Sequence, residues 1–252
     1  MSSPLSLVAP PGRRAFPLPE MDVPFSANGG HPRQRLVAEL RREGVHDERV
    51  LAAIGAVPRE EFVPPEHRPL AYRNAPLPIG AGQTISQPLV VGLMTQALAL
   101  TGTERVLEVG TGSGYQAAVL SRLAAEIISV ERFPELAERA RAVLARLGCA
   151  NVTVHVSNGS LGWPAGAPYG AIMVTAGAPE VPEALVAQLG AGGRLVIPVG
   201  DRASQELVLV TRQDAATRTQ RLGPVRFVPL VGEEGWPPDA DAPLDPPAEP
   251  GG

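Results

Sequence analysis

The chain contains no lysine; all 22 of its basic residues are arginine. A Schiff-base or lysine-nucleophile mechanism is therefore excluded. Cysteine occurs once, at Cys149, so neither an internal disulfide nor a cysteine-based metal cluster can form, which fits a reducing compartment. The four histidines, His31, His46, His67 and His155, show no ligand spacing and no carboxylate pattern of a metal site. No apolar run approaches the roughly 18 residues of a membrane span, and the proline-broken beginning lacks the hydrophobic stretch of a secretion signal. Positive charge is also in short supply: a net charge of −4 offers no basic field for nucleic acid. These absences predict a cytoplasmic protein with no membrane or nucleic-acid partner, expected to act as a monomer.

What is present is ordinary globular material, 252 residues with 44% hydrophobic and 19% charged content, enough for a sizeable core. The chain is organised around residues 105–131, RVLEVGTGSGYQAAVLSRLAAEIISVE. Val106, Leu107 and Val109 form a short buried strand, and Gly110, Gly112 and Gly114 mark a sharp turn where backbone approaches a ligand. Tyr115 to Ala125 reads as a helix and Ile127 to Val130 as the next strand. Glu131 closes that strand about 20 residues beyond the glycines, where a carboxylate can accept both hydroxyls of a ribose. The glycine spacing is not the G-x-G-x-x-G of pyrophosphate binders, and Glu108 precedes it. A carboxylate there disfavours a phosphate and favours a ligand with an ammonium and a sulfonium, as in S-adenosylmethionine.

Upstream, residues 32–43 and 47–56 read as two amphipathic helices, the second capped by Asp47 and ended by Pro58. Residues 58–87 are dense in proline and glycine and read as a long ordered loop with a functional reason. Pro88 opens a further helix with Leu89, Val90, Leu93, Met94, Ala97 and Leu98 on its inward face. Gln83, Thr84, Ser86 and Gln87 thus sit at a helix N-terminus, where free N–H groups favour an anion; alternatively Ser86 or Gln87 simply caps the helix. Downstream come a helix over 134–147 and a strand over 152–156. A turn at Ser157-Asn158-Gly159 follows, where Asn158 can meet a base edge or serve only as a turn residue. Further strands are expected at 171–175, 194–199, 206–211 and 225–228, with a helix at 182–189; the last two strands form a hairpin. Residues 1–30 are expected to be a flexible proline-rich arm and 237–252 a disordered acidic tail. Between them residues 31–236 form one domain, with helices and substrate loop at 31–100 and the cofactor-binding α/β core at 101–236.

The blocks DERVLAAIGAVPREEFVP, AYRNAPLPIGAGQTISQP, VLEVGTGSGYQAAVL, IMVTAGAPEVPEAL, GGRLVIPVG and VRFVPLVGEEGW together resemble the protein-L-isoaspartate O-methyltransferases over roughly residues 32–236. The resemblance implies a Rossmann-like, seven-stranded, mostly parallel sheet flanked by helices, the class I methyltransferase fold, with an N-terminal helical extension. It implies S-adenosylmethionine as cofactor and isoaspartyl-containing peptides and proteins as acceptors, esterified as the first step of repair through a succinimide. By motif, Ser86 matches the active-site serine, with Thr84, Ile85 and Gln87 around the substrate. Glu108, Gly110, Thr111, Gly112 and Ser113 match the cofactor loop and Glu131 the ribose-binding acid. Asn158 and Gly159 occupy the adenine position, and Gln205 belongs to a late element near the cofactor. The sequence departs from the family pattern at Asn158 (usually Asp), Ser157 (Gly), Gly170 (Asp) and Leu89 (Tyr). These departures leave open a diverged carboxylate O-methyltransferase, with Leu89 and Gly170 reshaping the acceptor side, or a cofactor-binding homologue with impaired catalysis.

Overall fold

The computed structural model describes residues 31–213 and 216–238; the expected arm at 1–30 and all of the expected tail beyond residue 238 lie outside them. Helix α1 (Pro32–Arg42) starts on a proline, whose missing N–H and fixed φ suit a first turn, and buries Leu36 and Leu40. Helix α2 (Glu48–Ala56) is capped as expected, the Asp47 carboxylate accepting the Arg49 N–H at 2.9 Å. The stretch expected as loop has more structure. Two 3-10 turns, Arg59–Phe62 and Pro65–Leu70, lead into an antiparallel hairpin of β1 (Leu77–Gly80) and β2 (Gln83–Ile85). Its tip runs through three successive left-handed residues, Gly80, Ala81 and Gly82.

Helix α3 (Pro88–Ala97) buries Pro88, Val91, Gly92, Met94 and Thr95, so that of the expected inward face Met94, with Leu98 just past the helix end, is fully buried. The close contact is made by smallness: a Cβ on Gly92 would lie 2.7 Å from the Val45 side chain. Leu89, Val90, Leu93 and Ala97 pack only partly against the same core.

The main sheet has seven strands: β3 (Arg105–Val109), β4 (Glu126–Glu131), β5 (Val152–Val156), β6 (Tyr169–Val174), β7 (Leu189–Gly200), β8 (Gln205–Gln213) and β9 (Ala216–Val225). Their order is β5-β4-β3-β6-β7-β8-β9, parallel from β5 to β7, with β8 antiparallel to both of its neighbours. Val106, Ile127, Ala171 and Met173 face one core beneath α1–α3, α4 (Tyr115–Leu120) and α5 (Pro134–Arg146). Leu107, Val109, Ile128, Val130 and Ile172 face the other core, beneath α6 (Glu183–Ala187). Central strands buried on both faces read as continuous apolar runs, which is why β3, β4 and β6 were legible.

Several boundaries differ from expectation, among them β7, which begins at Leu189 instead of Arg194, and two more instructive ones. Helix α4 ends at Leu120, because Ala125 N–H is drawn to the Glu104 carbonyl (3.0 Å) to enter β4. The last strand is 216–225, not 225–228. As the sheet edge it is exposed on both faces through Leu222 and carries no apolar alternation. Among the described residues no helix is long and apolar enough to cross a membrane.

Candidate active site

The chain runs outward from β3 to β4 and β5, then crosses back to β6 on the other side of β3. Such a switch point leaves a crevice at the carboxyl ends of the strands. A cleft lies there, lined by the ends of β3, β4 and β6, by Gly159 after β5, and by Gln83–Ser86 of the hairpin.

The glycine loop is built by backbone geometry. Gly110, Gly112 and Gly114 adopt φ of 96°, 52° and 88°, where a side chain is strained. Gly110 is further required because Thr175 donates its hydroxyl to the Gly110 carbonyl at 2.6 Å, and an added Cβ would lie 2.3 Å from that oxygen. Glu131, buried at the end of β4, accepts the Gly112 N–H at 2.8 Å and the Phe133 N–H at 3.0 Å, one on each carboxylate oxygen. Each oxygen keeps acceptor capacity for a ligand in the cleft.

Glu108 is a correction to the sequence reading. It is fully buried, does not line the cleft, and lies beneath the loop, where the Ser129 hydroxyl bonds one carboxyl oxygen. Ser129 also meets the Thr111 hydroxyl at 2.5 Å. The other Glu108 oxygen has no hydrogen-bond partner. Burial, reinforced by the Glu131 charge and opposed by the Ser129 hydrogen bond, pushes the Glu108 carboxyl up to about 8. It is therefore mostly neutral at pH 7 and does not act as the fixed loop charge inferred from sequence.

On the opposite wall the hairpin delivers Thr84, Ile85 and Ser86. Arg59 holds this segment from below, Nη2 donating to the Ser86 carbonyl at 2.8 Å and Nε to the Ala71 carbonyl at 2.9 Å. Neither Ser86 nor Gln87 caps α3. That task falls to Asn74, whose side-chain oxygen accepts the Leu89 N–H at 3.0 Å, while Gln87 turns away to donate to the Asn74 carbonyl at 3.1 Å. The helix front is thus already occupied at Leu89, and Gln87 does not line the cleft.

Asn158 and Gln205 also stand outside the lining. Asn158 is exposed and caps a one-turn 3-10 helix, accepting the Ser160 N–H at 3.0 Å, while the adjacent Gly159 reaches the cleft. Gln205 is buried with both ends committed, donating to the Asp201 carbonyl and accepting the Phe227 N–H at 2.7 Å. It positions the chain leading to Val228–Val231, which forms a cleft wall. The sequence reading missed this wall, since VRFVP passes for a strand. It also missed Thr175, Tyr115, Gln116 and Arg132, for which only proximity to recognised motifs gave a signal. Of the departures, Leu89 is not a lining residue, and Gly170 packs against Glu104, beside the Val106–Ala171 pair at the strand ends remote from the cleft.

Residues 31–235 match the family model described as Protein-L-isoaspartate(D-aspartate) O-methyltransferase (PCMT). The chain belongs to this family. A family relative from Rhodopseudomonas palustris (strain HaA2), named protein-L-isoaspartate O-methyltransferase 1, is 51% identical over 232 residues, covering 91% of this chain and 93% of the relative. Another, from Methanoculleus marisnigri, is 53% identical over 198 residues, covering 79% and 90% respectively. A solved structure named protein-L-isoaspartate O-methyltransferase superposes with a TM-score of 0.73 at 32% identity, covering 81% of this chain and 67% of that one. A Plasmodium falciparum structure, at 24% identity and a TM-score of 0.68, shares the fold; it is described as a complex with S-adenosyl-L-homocysteine.

Proposed function

We infer that this chain methylates, from S-adenosylmethionine, the free carboxylate of L-isoaspartyl residues in peptides and proteins. Membership of the family supports the activity. The observation that carries the chemistry is the charge inventory of the cleft. Among its described lining residues only Glu131 and Arg132 are charged, and both oxygens of Glu131 already accept backbone N–H groups. No side chain is placed as a free general base. A hydroxyl or ammonium acceptor would need one, whereas a carboxylate is ionised at pH 7 and needs only alignment.

The residues fit the cofactor. The glycine loop leaves backbone rather than side chains against the cleft, and Glu131 retains lone pairs for a ribose. When bound, S-adenosylmethionine supplies a methyl group on a sulfonium. We assign Gly110, Thr111, Gly112, Ser113, Glu131 and Gly159 to holding it, with Glu108 acting from beneath through Ser129 and Thr111. Asn158 and Gln205 act at one remove, by shaping the turn before Ser160 and the wall at 228–231. Ser86 is the hydroxyl we assign to the acceptor carboxylate, with Thr84 and Ile85 beside it and Gln87 locking the segment to Asn74. Once esterified, the isoaspartyl group is set to close to a succinimide, the neighbouring backbone amide nitrogen attacking the ester carbonyl and losing its proton as methanol leaves, the repair step of the family. We read residues 31–236 as one catalytic unit, acting as a cytoplasmic monomer without a nucleic-acid partner. A cleft lining that runs from Gln83 to Val231 supports the first part, and the net charge of −4 the last.

The test is transfer of labelled methyl to a synthetic L-isoaspartyl peptide, with the matching aspartyl peptide as control. Base-labile label on the isoaspartyl peptide alone is expected. Ser86→Ala should lower the transfer about 10- to 100-fold with S-adenosylhomocysteine affinity retained; undiminished transfer would remove Ser86 from its role.

A further inference from the structure

Arg59 is fully buried, yet its charge has no counter-ion. Among the described residues no carboxylate stands at ion-pair distance from it. Its contacts are two carbonyls, Ala71 and Ser86, and the face of the Tyr115 ring, 4.7 Å from the guanidinium carbon. The ring is braced edge-on by Phe62 at 5.6 Å. The Tyr115 hydroxyl also interacts with the guanidinium, but as a neutral partner, since burial holds its ionisation above the ordinary range. Carbonyls and a ring face hold a guanidinium in place without neutralising it, and arginine does not escape burial by losing its proton. A buried charge left in this state is costly and calls for a compensating anion.

The charge stands directly behind the cleft wall: two groups that Arg59 touches, Ser86 and Tyr115, both line the cleft. Arg132, the cation that lines the cleft itself, is exposed and sits beside Glu131, where solvent screens it. We propose that Arg59 is a positioning residue that makes the acceptor side selective for an anion: its buried charge lies behind the Ser86 peptide and is neutralised by the incoming carboxylate. This rests on the acceptor reading given above. Arg59 does not touch the acceptor; it acts through the segment it pins and through its field. Methylation removes the acceptor's charge, so the same field holds the substrate and releases the neutral ester. Because the attraction is strongest before reaction, loss of the charge raises KM more than it lowers kcat.

The experiment uses the full chain with S-adenosylhomocysteine bound. Calorimetry measures the affinity of an L-isoaspartyl peptide and of the same peptide with a carboxamide in place of the carboxylate. Wild type is expected to prefer the carboxylate by about tenfold or more. In Arg59→Gln, which can still donate to a carbonyl, the two peptides should bind within about threefold of each other; Arg59→Lys should keep the preference. S-adenosylhomocysteine binding reports folding in each variant. An unchanged preference in Arg59→Gln, equal weakening of both peptides, or loss of preference in Arg59→Lys would each overturn the inference, so either variant decides alone. If wild type showed no preference, the acceptor reading would fall and this inference with it; a wild-type preference that survives in Arg59→Gln would sink the inference alone.

Discussion

Glu108→Gln tests the electrostatics of the site most directly. The Glu108 carboxyl is raised from an ordinary 4.5 to about 8, chiefly by burial. A carboxyl raised on folding leaves stability intact below the unfolded value; stability is then lost as pH climbs toward the folded value, because only the unfolded chain gives up its proton. The loss is about 1.4 kcal/mol per pH unit in that window, hence about 3 kcal/mol between about pH 5 and pH 7.5. Glutamine retains an oxygen for the Ser129 hydroxyl but cannot ionise, so the variant escapes this slope. At about pH 5 it should be equal to or slightly less stable than wild type, since its amide brings an extra unsatisfied N–H. By about pH 7.5 it should be ahead, by roughly 6–12 °C in melting temperature for a domain of this size. Melting both proteins without ligand across that range measures the difference, and each protein serves as its own control for generic pH effects. Parallel profiles would mean that Glu108 is ionised in the folded state and that the account of its burial is wrong.

Two further substitutions probe the frame. Gly110→Ala should cost about 2–4 kcal/mol and abolish S-adenosylhomocysteine binding, because the new Cβ meets the Thr175 hydroxyl at 2.3 Å on a backbone at φ 96°. Gly148→Ala, at φ 69° with open space around it, should cost only about 1 kcal/mol, and equal denaturation midpoints for the two would refute the clash. Asn158→Asp can accept the same Ser160 N–H, so stability should move by less than about 0.5 kcal/mol and S-adenosylhomocysteine affinity by less than about fivefold. A larger gain in calorimetry would show that this side chain reaches the adenine after all.

Much of the frame was legible because it is local. Strands β3, β4 and β6 are short apolar runs punctuated by glycine or a turn, β5 alternates valine with Thr153 and His155, and Asp47, Pro32 and Pro88 announce their helices. Strand β9 was misplaced for the converse reason. An edge strand wetted on both faces has no pattern to read. The inward face of α3 was legible only in part, at Met94 and Leu98, because close packing there depends on Gly92, and size patterns follow hydrophobicity rather than fit.

The site divides along the same line. Sequence alone determined the turn at Gly110 and Gly112 and the carboxylate of Glu131 at a strand end, since their spacing reflects backbone turns and strand ends, while Thr84, Ile85 and Ser86 were placed by motif resemblance to one enzyme family. Only tertiary structure decided which side chains face the cleft and which support it. Glu108 turned out to be buried and neutralised, Asn158 a cap, and Gln205 and Gln87 staples, while Val228–Val231 became a wall and Arg59 a buried charge behind Ser86. Solvent access, and the protonation state that follows from it, depend on contacts made across tens of residues, such as Asn74 to Leu89 or Thr175 to Gly110, which no local spacing encodes.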